Sequence, residues 1–263
     1  GYIPTPLCIY ENVHKFPSGS FAHIKFIDDQ IKLSIQQYWK LEDKISTTIL
    51  TDENQAFTQL NELIENSVKS RMISDVPFGT FLSGGIDSSL ITATASQFVE
   101  NPLNTFSIGF EESTHDESQY AKEIAKRLKT NHHEFILSEK KALPLFESIL
   151  ESYDEPYADS SAIPTMLVSE LAKQEVTMIL TGDGGDELFH GYGMYDWAER
   201  LEKPLIKPFK NLIGKGLEKF GNNRQKRAGN VFNQSSKDNI HNHIFSQEQY
   251  LFSNKELSKL INN

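Results

Sequence analysis

Between Phe78 and Phe189, short apolar runs alternate with stretches of helical spacing, and this alternation limits the fold more than any other feature. Phe78–Leu82, Thr105–Phe110, His133–Leu137 and Val176–Leu180 read as strands. Helical patterns follow the first strand to about Glu100 and then occupy Asp116–Lys129, Lys140–Glu151 and Ile163–Gln174. Ahead of them, Phe57, Leu60, Ile64, Val68 and Met72 predict an amphipathic helix of about five turns beginning near Glu53. The expected fold is α/β, a parallel sheet with helices on both faces. Ligands in such sheets sit beyond the carboxyl ends of the strands. Two glycine-rich loops leave those ends: Ser83–Ser89, and Thr181–Asp186, which opens one more helix.

The first loop, Ser83-Gly84-Gly85-Ile86-Asp87-Ser88-Ser89, joins a strand to a helix N-terminus. Adjacent glycines let the backbone turn sharply and bring N–H groups close to an anion. The helix adds unpaired N–H groups and partial positive charge at the same point. The serine hydroxyls supply further donors, so the loop reads as a phosphate cradle. Asp87 is an acid inside an anion site, a conflict that a bridging Mg²⁺ removes. The loop lacks the Gly-Lys-Ser/Thr ending of a Walker A motif and is not a Gly-x-Gly-x-x-Gly fingerprint. A capped Gly-Gly turn accounts for one serine or the aspartate, but not for the whole set.

Thr181-Gly182-Asp183-Gly184-Gly185-Asp186-Glu187 repeats this logic, with acids converging where the sheet ends. Acids beside a phosphate site serve metal ligation or acid–base work. A calcium loop is the competing reading, but the spacing does not match an EF-hand.

The two loops together resemble the glutamine-dependent, B-type asparagine synthetase family, a branch of the N-type ATP pyrophosphatases (PP-loop superfamily). Ser74–Gly79, Thr105–Phe110, His132-His133-Glu134, Asp154-Glu155-Pro156 and Ser160–Pro164 carry the same likeness. The resemblance implies an adenine-nucleotide alpha-hydrolase-like fold and a ligase forming a carbon–nitrogen bond. Aspartate's side-chain carboxylate attacks the α-phosphorus of ATP, giving β-aspartyl-AMP and pyrophosphate, and ammonia from glutamine then yields asparagine. Carried over, Leu82, Ile108 and Gly182 contact adenosine, while Ser83, Gly84, Gly85, Asp87, Ser88, Ser89 and Thr181 line the ATP and pyrophosphate site. Asp87 and Asp186 bind Mg²⁺. Asp183, the expected catalytic residue, stands where the family often has glutamate and orients or deprotonates ammonia. Its carboxylate is set back by one methylene. Thr181 stands where serine is common.

Residues 1–40 read as short β segments, Ser20–Ile27 and Gln30–Trp39 among them, and resemble the closing strands of the family's glutaminase domain. Residues 41–54 read as a linker and 55–263 as a synthetase domain cut short at its end. The chain opens on Gly1 without the family's N-terminal cysteine, and no segment resembles the distal region that supplies a lysine. It therefore reads as a fragment that has its nucleotide site but lacks its ammonia supply.

Composition narrows the alternatives. A net charge of −10 argues against broad nucleic-acid or membrane-surface binding. No apolar run reaches the roughly 18 residues of a membrane span. Cys8 is the only cysteine, so the chain has no internal disulfide, and a cytoplasmic setting fits best. Cys8 itself reads as a structural thiol. The basic stretch Lys203–Ala228 is either a polyanion-binding surface or a solvated face. His132 and His133 read as hydrogen-bonded structure rather than metal ligands. The assembly is left open, with a homodimer allowed. Competing functions are an amidotransferase acting on a sugar acid, peptide or β-lactam precursor, and a nucleotide-binding fragment without turnover. A sulfur-transferring tRNA enzyme shares the first loop but conflicts with the acidic balance and the lack of a cysteine pair.

Overall fold

The computed structural model describes residues 2–111, 117–138, 144–157, 159 and 161–233. The helix starts expected at Asp116 and Lys140, Ser160, and the chain beyond Asn233 lie outside them. The chain forms two compact bodies that divide between Gly182 and Asp183.

The first body opens with an antiparallel hairpin of β1 (Ser20–Ile27) and β2 (Gln30–Gln37). Its turn residues, Asp28 and Asp29, take φ of 51° and 58°, the left-handed conformation that a tight hairpin turn requires. The register sets Ala22 opposite Ile35, Ile24 opposite Leu33 and Phe26 opposite Ile31. With a side-chain period of two, this gathers the apolar residues on one face. That face is open: Phe26 is 78% exposed, Ile24 61% and Leu33 59%.

A polar connection leads to α1 (Glu53–Arg71), whose start is capped by Asp52 accepting from the Gln55 N–H at 2.8 Å. Ile64, Val68 and Met72 pack inward, but Phe57 is 72% exposed. The amphipathic reading holds only for the second half of the helix. The cluster that receives it, built from Phe78, Ile91, Ala95 and Leu180, meets only its last turns.

The second sheet is wholly parallel, in the order β5-β4-β3-β6. Its strands are β3 (Phe78–Phe81), β4 (Asn104–Phe110), β5 (Asn131–Leu137) and β6 (Met178–Leu180). β5 begins earlier than the apolar run suggests, because Asn131 and His132 also pair with β4. β6 is shorter than expected. Val176 donates its N–H to Ala172 O at 2.8 Å and so closes a turn, while its side chain still fills the core.

The helices of this body are α2 (Ile86–Ser96), α3 (Ser118–Leu128), α4 (Leu145–Ser152) and α5 (Ala162–Ala172). Phe78 and Leu180 pack with α1 and α2, and Leu82 packs under Ala121 and Ala125 of α3. Phe81, Phe106, Ile108 and Ile179 pack with Val168, Leu171 and Ala172 of α5. Helices therefore cover both faces, as the alternation implies.

The second body holds α6 (Gly185–Phe189), α7 (Gly193–Glu202), α8 (Lys210–Phe220) and α9 (Asn223–Phe232). Ala198 and Leu201 form its core with Tyr192, Tyr195, Ile206, Val231 and Phe232. α8 and α9 meet at Gly214 and Gly229, where a Cβ on either would lie 2.9 Å from the other's carbonyl oxygen. No helix among the described residues is long and apolar enough to cross a membrane.

Candidate functional site

β3 is the strand at which the sheet's order reverses, with β4 on one side and β6 on the other. Crevices in open α/β sheets form at such a point, outside the carboxyl ends. The loops that leave β3 and β6 are the two glycine-rich segments. A Cβ built on Gly182 would lie 2.7 Å from Ser88 N and 2.8 Å from Asp87 C. Gly182, two residues past β6, thus lies directly against the first turn of α2.

Hydroxyls knit the first loop together. Ser88 Oγ accepts from the Ser83 N–H at 3.2 Å, bonds Ser83 Oγ at 3.0 Å and donates to Gly85 O at 3.3 Å. Ser83 Oγ accepts from the Gly85 N–H at 3.2 Å, and Ser89 Oγ donates to Gly85 O at 2.6 Å. The first intrahelical bond of α2 runs from the Ser89 N–H to Gly85 O at 3.1 Å. The N–H groups of Ile86, Asp87 and Ser88 precede it, and Gly85 at the N-cap has no side chain to cap them. This is the arrangement that an anion completes. Asp87 is half-buried at this first turn, where its carboxylate offers the hard oxygen donors that a divalent cation takes. The loop chemistry thus fits a phosphate group with a divalent cation.

Gly84 has φ of 91°, and a Cβ there would lie 2.6 Å from Tyr120 Cβ and 2.9 Å from Ala121 N. The start of α3 therefore backs the loop, a packing role that the sequence gives no sign of. Leu82 is 1% exposed and donates its N–H to Phe106 O at 2.9 Å, so its side chain belongs to the core beneath α3. β4 continues to Phe110, past Phe106 where β3 ends, which brings Ile108 level with the loop. Its side chain lies on the α5 side. Thr181 and Gly182 are half-buried.

Two buried hydroxyls hold α2 in place. Thr80 Oγ1 and Thr92 Oγ1 lie 2.9 Å apart, and Thr92 also donates to Ser88 O at 2.7 Å. Neither threonine stood out in the sequence, because a threonine in an apolar run carries no chemical signature.

In the second body, Gly184 takes φ of 91° and starts the short α6. Asp183 is exposed and Asp186 half-buried. The Asp186 carboxylate lies where a side chain on Gly191 would be, and the Gly191 N–H donates to Asp186 O at 2.9 Å. The Tyr192 hydroxyl donates to Glu187 Oε1 at 2.7 Å, which holds that carboxyl below its usual range and pushes the phenol up to about 12. Among the described residues no group of three His, Cys, Asp or Glu is gathered for a metal.

His132 is hydrogen-bonded structure, as expected. Its Nδ1 lies 2.9 Å from Thr105 Oγ1 and its Nε2 3.2 Å from Ser107 Oγ. His133 stacks on Phe106 with centroids 5.0 Å apart. Within the basic stretch, Lys207 pairs with Glu202 at 2.5 Å and Lys219 lies over the Phe220 ring at 5.3 Å. Those two cations therefore have partners of their own.

The asparagine synthase family matches residues 59–260, a span that contains both loops. The chain belongs to that family. A relative from Methanocaldococcus jannaschii that carries the family's name is 39% identical over 193 residues, covering 73% of this chain and 36% of its own length. Asparagine synthetase [glutamine-hydrolyzing] 1 of Bacillus subtilis is 36% identical over 220 residues, covering 83% and 33%. Asparagine synthetase B [glutamine-hydrolyzing] of Escherichia coli is 30% identical over 203 residues, covering 71% and 35%. The chain spans about a third of the length of these curated relatives. An NH3-dependent NAD synthetase from Campylobacter jejuni aligns at a TM-score of 0.37 and 15% identity, covering 80% of this chain and 96% of that one.

Proposed function

We propose that this chain is the synthetase portion of a glutamine-hydrolysing asparagine synthetase. On this reading, aspartate's side-chain carboxylate is adenylated by ATP and the acyl-adenylate is then amidated by ammonia. The observation that carries it is the contact of Gly182 with the backbone of Asp87 and Ser88, which joins the family's two loops at one helix N-terminus. The N–H groups of Ile86, Asp87 and Ser88, with the hydroxyls of Ser83, Ser88 and Ser89, would bind the phosphates leaving as pyrophosphate. Gly84 and Gly85 let the backbone approach them, and Leu82, Ile108, Thr181 and Gly182 would border the nucleotide. Asp87 and Asp186 would hold Mg²⁺, which when bound offsets the charge of the phosphates. Asp183 would orient or deprotonate the incoming ammonia.

The hairpin supports the matching reading of residues 1–40 as closing strands of an ammonia-supplying glutaminase domain. A two-stranded ribbon with one largely apolar face is not stable by itself, and that face calls for a further layer to cover it. The lone Cys8 agrees with a cytoplasmic setting. The test is pyrophosphate release from ATP with Mg²⁺ in the intact protein, offering single carboxylates in turn. Aspartate should be the one that stimulates release and becomes amidated. Stimulation by a sugar acid or peptide instead, or nucleotide binding without release, would replace this reading.

A further inference from the structure

The ion pair between Lys15 and Glu155 differs in kind from the others described. The other ion pairs among the described residues join positions close in sequence, whereas this one spans 140 residues. Lys15 Nζ also donates to Ile3 O at 2.5 Å, while the Lys15 N–H donates to Pro6 O at 3.0 Å. One side chain thus gathers residues 3–15 and carries them to Glu155, whose side chain is only 17% exposed.

The loop that presents Glu155 is braced. Tyr153 and Tyr157 stack on either side of it in sequence, with ring centroids 4.8 Å apart. The Tyr157 hydroxyl donates to Asp159 Oδ2 at 2.9 Å, and Asp159 Oδ1 accepts the N–H and O–H of Ser161, each at 2.8 Å. α5 starts at the next residue and packs through Val168, Leu171 and Ala172 against Phe106 and Ile108. Because α5 leads into β6 of a parallel sheet, its first turn lies at the carboxyl edge, as do the two glycine-rich loops.

We infer that Lys15 and Glu155 form a positioning pair that fixes the segment before the hairpin to the carboxyl-edge loop ahead of α5. It thereby keeps the ammonia-supplying side aligned with the nucleotide crevice. The functional half of this inference rests on the function proposed above. The pair touches no substrate and acts through Tyr153, Tyr157 and Asp159 on the start of α5.

The structural half is read by amide exchange in this chain. Lys15→Ala and Glu155→Ala should each speed exchange at the Leu7 and Lys15 amides by about tenfold. The swap of Lys15→Glu with Glu155→Lys should restore protection in part, since a glutamate at position 15 cannot donate to Ile3 O. Unchanged exchange in Glu155→Ala overturns the pair. The functional half is read in the intact protein as the ratio of glutamine-driven to ammonium-driven amide formation. Each single variant should lower that ratio by about tenfold, and the swap should recover part of it. A general loss of stability lowers both rates together and leaves the ratio unchanged, which overturns the positioning role. If the parent protein forms no amide with ammonium, the proposed function fails, and amide exchange alone decides whether the pair fixes the segment.

Discussion

At residue scale, Gly182 and Gly84 are glycines for different reasons, and alanine tests each differently. Gly182→Ala places a methyl group against the backbone of Asp87 and Ser88, so the first turn of α2 must shift. We expect ATP–Mg²⁺ affinity to fall more than about tenfold by calorimetric titration. Gly84→Ala meets both a φ of 91° and the backbone of α3, and should lower the free energy of unfolding by about 1–3 kcal/mol in denaturant titrations. Asp87→Asn keeps the shape and removes the charge. Pyrophosphate release in the intact protein should drop about a hundredfold or more with little change in melting. His132 gives a pH signature. Burial, assisted by His133 and Lys122 and opposed by Glu134, lowers its pKa from 6.5. Below about pH 6.5 the unfolded chain binds a proton that the folded ring resists, so stability falls as pH drops through that range and is untouched above it. Asp159, also lowered, acts nearer the carboxylate range and so leaves this window clear. Melting followed from about pH 7.5 to 5.5 should show the loss in the parent and a shallower slope in His132→Gln.

At the scale of elements, the buried Thr80–Thr92 pair ties α2 to β3 alongside its apolar packing. Thr92→Val keeps the volume but strands the Thr80 hydroxyl, and should cost about 1–3 kcal/mol in chemical denaturation. The elements themselves were largely legible. β1 falls where alternation puts it, and the parallel sheet follows from strands alternating with helices. The misses share one cause, that tertiary contact overrides local pattern. Val176 looks like a strand residue because it is apolar, yet it is buried from a turn. Phe57 looks like a core residue because of its spacing, yet the cluster beneath α1 does not extend to it. Ser83–Ser89 stands out in the sequence as a candidate site, since it combines groups that few other purposes need. The contact of Gly182 with α2 and the backing of Gly84 by α3 were not legible there, because a glycine in sequence does not say what lies against it.

For the whole molecule, the exposed hairpin face sets an expectation. Ile24→Thr with Leu33→Thr should leave the thermal midpoint of this chain essentially unchanged, since substitutions at exposed positions alter stability by about 0.5 kcal/mol or less. The same pair should reduce concentration-dependent light scattering, because an open apolar ribbon invites association. The order in which the parallel sheet can close has a further consequence. β3 meets β4 and β4 meets β5 between residues close in sequence, with Gly79 opposite Asn104 and Asn104 opposite Asn131. β6 must return across the whole body to set Met178 beside Phe78. Loop-closure entropy makes that pairing the latest of the three. On a ribosome, the serine-rich loop emerges and turns well before its counterpart exists. A nascent chain that stops short of Met178 has a half-built clamp, and completing the sheet and acquiring the clamp are the same event.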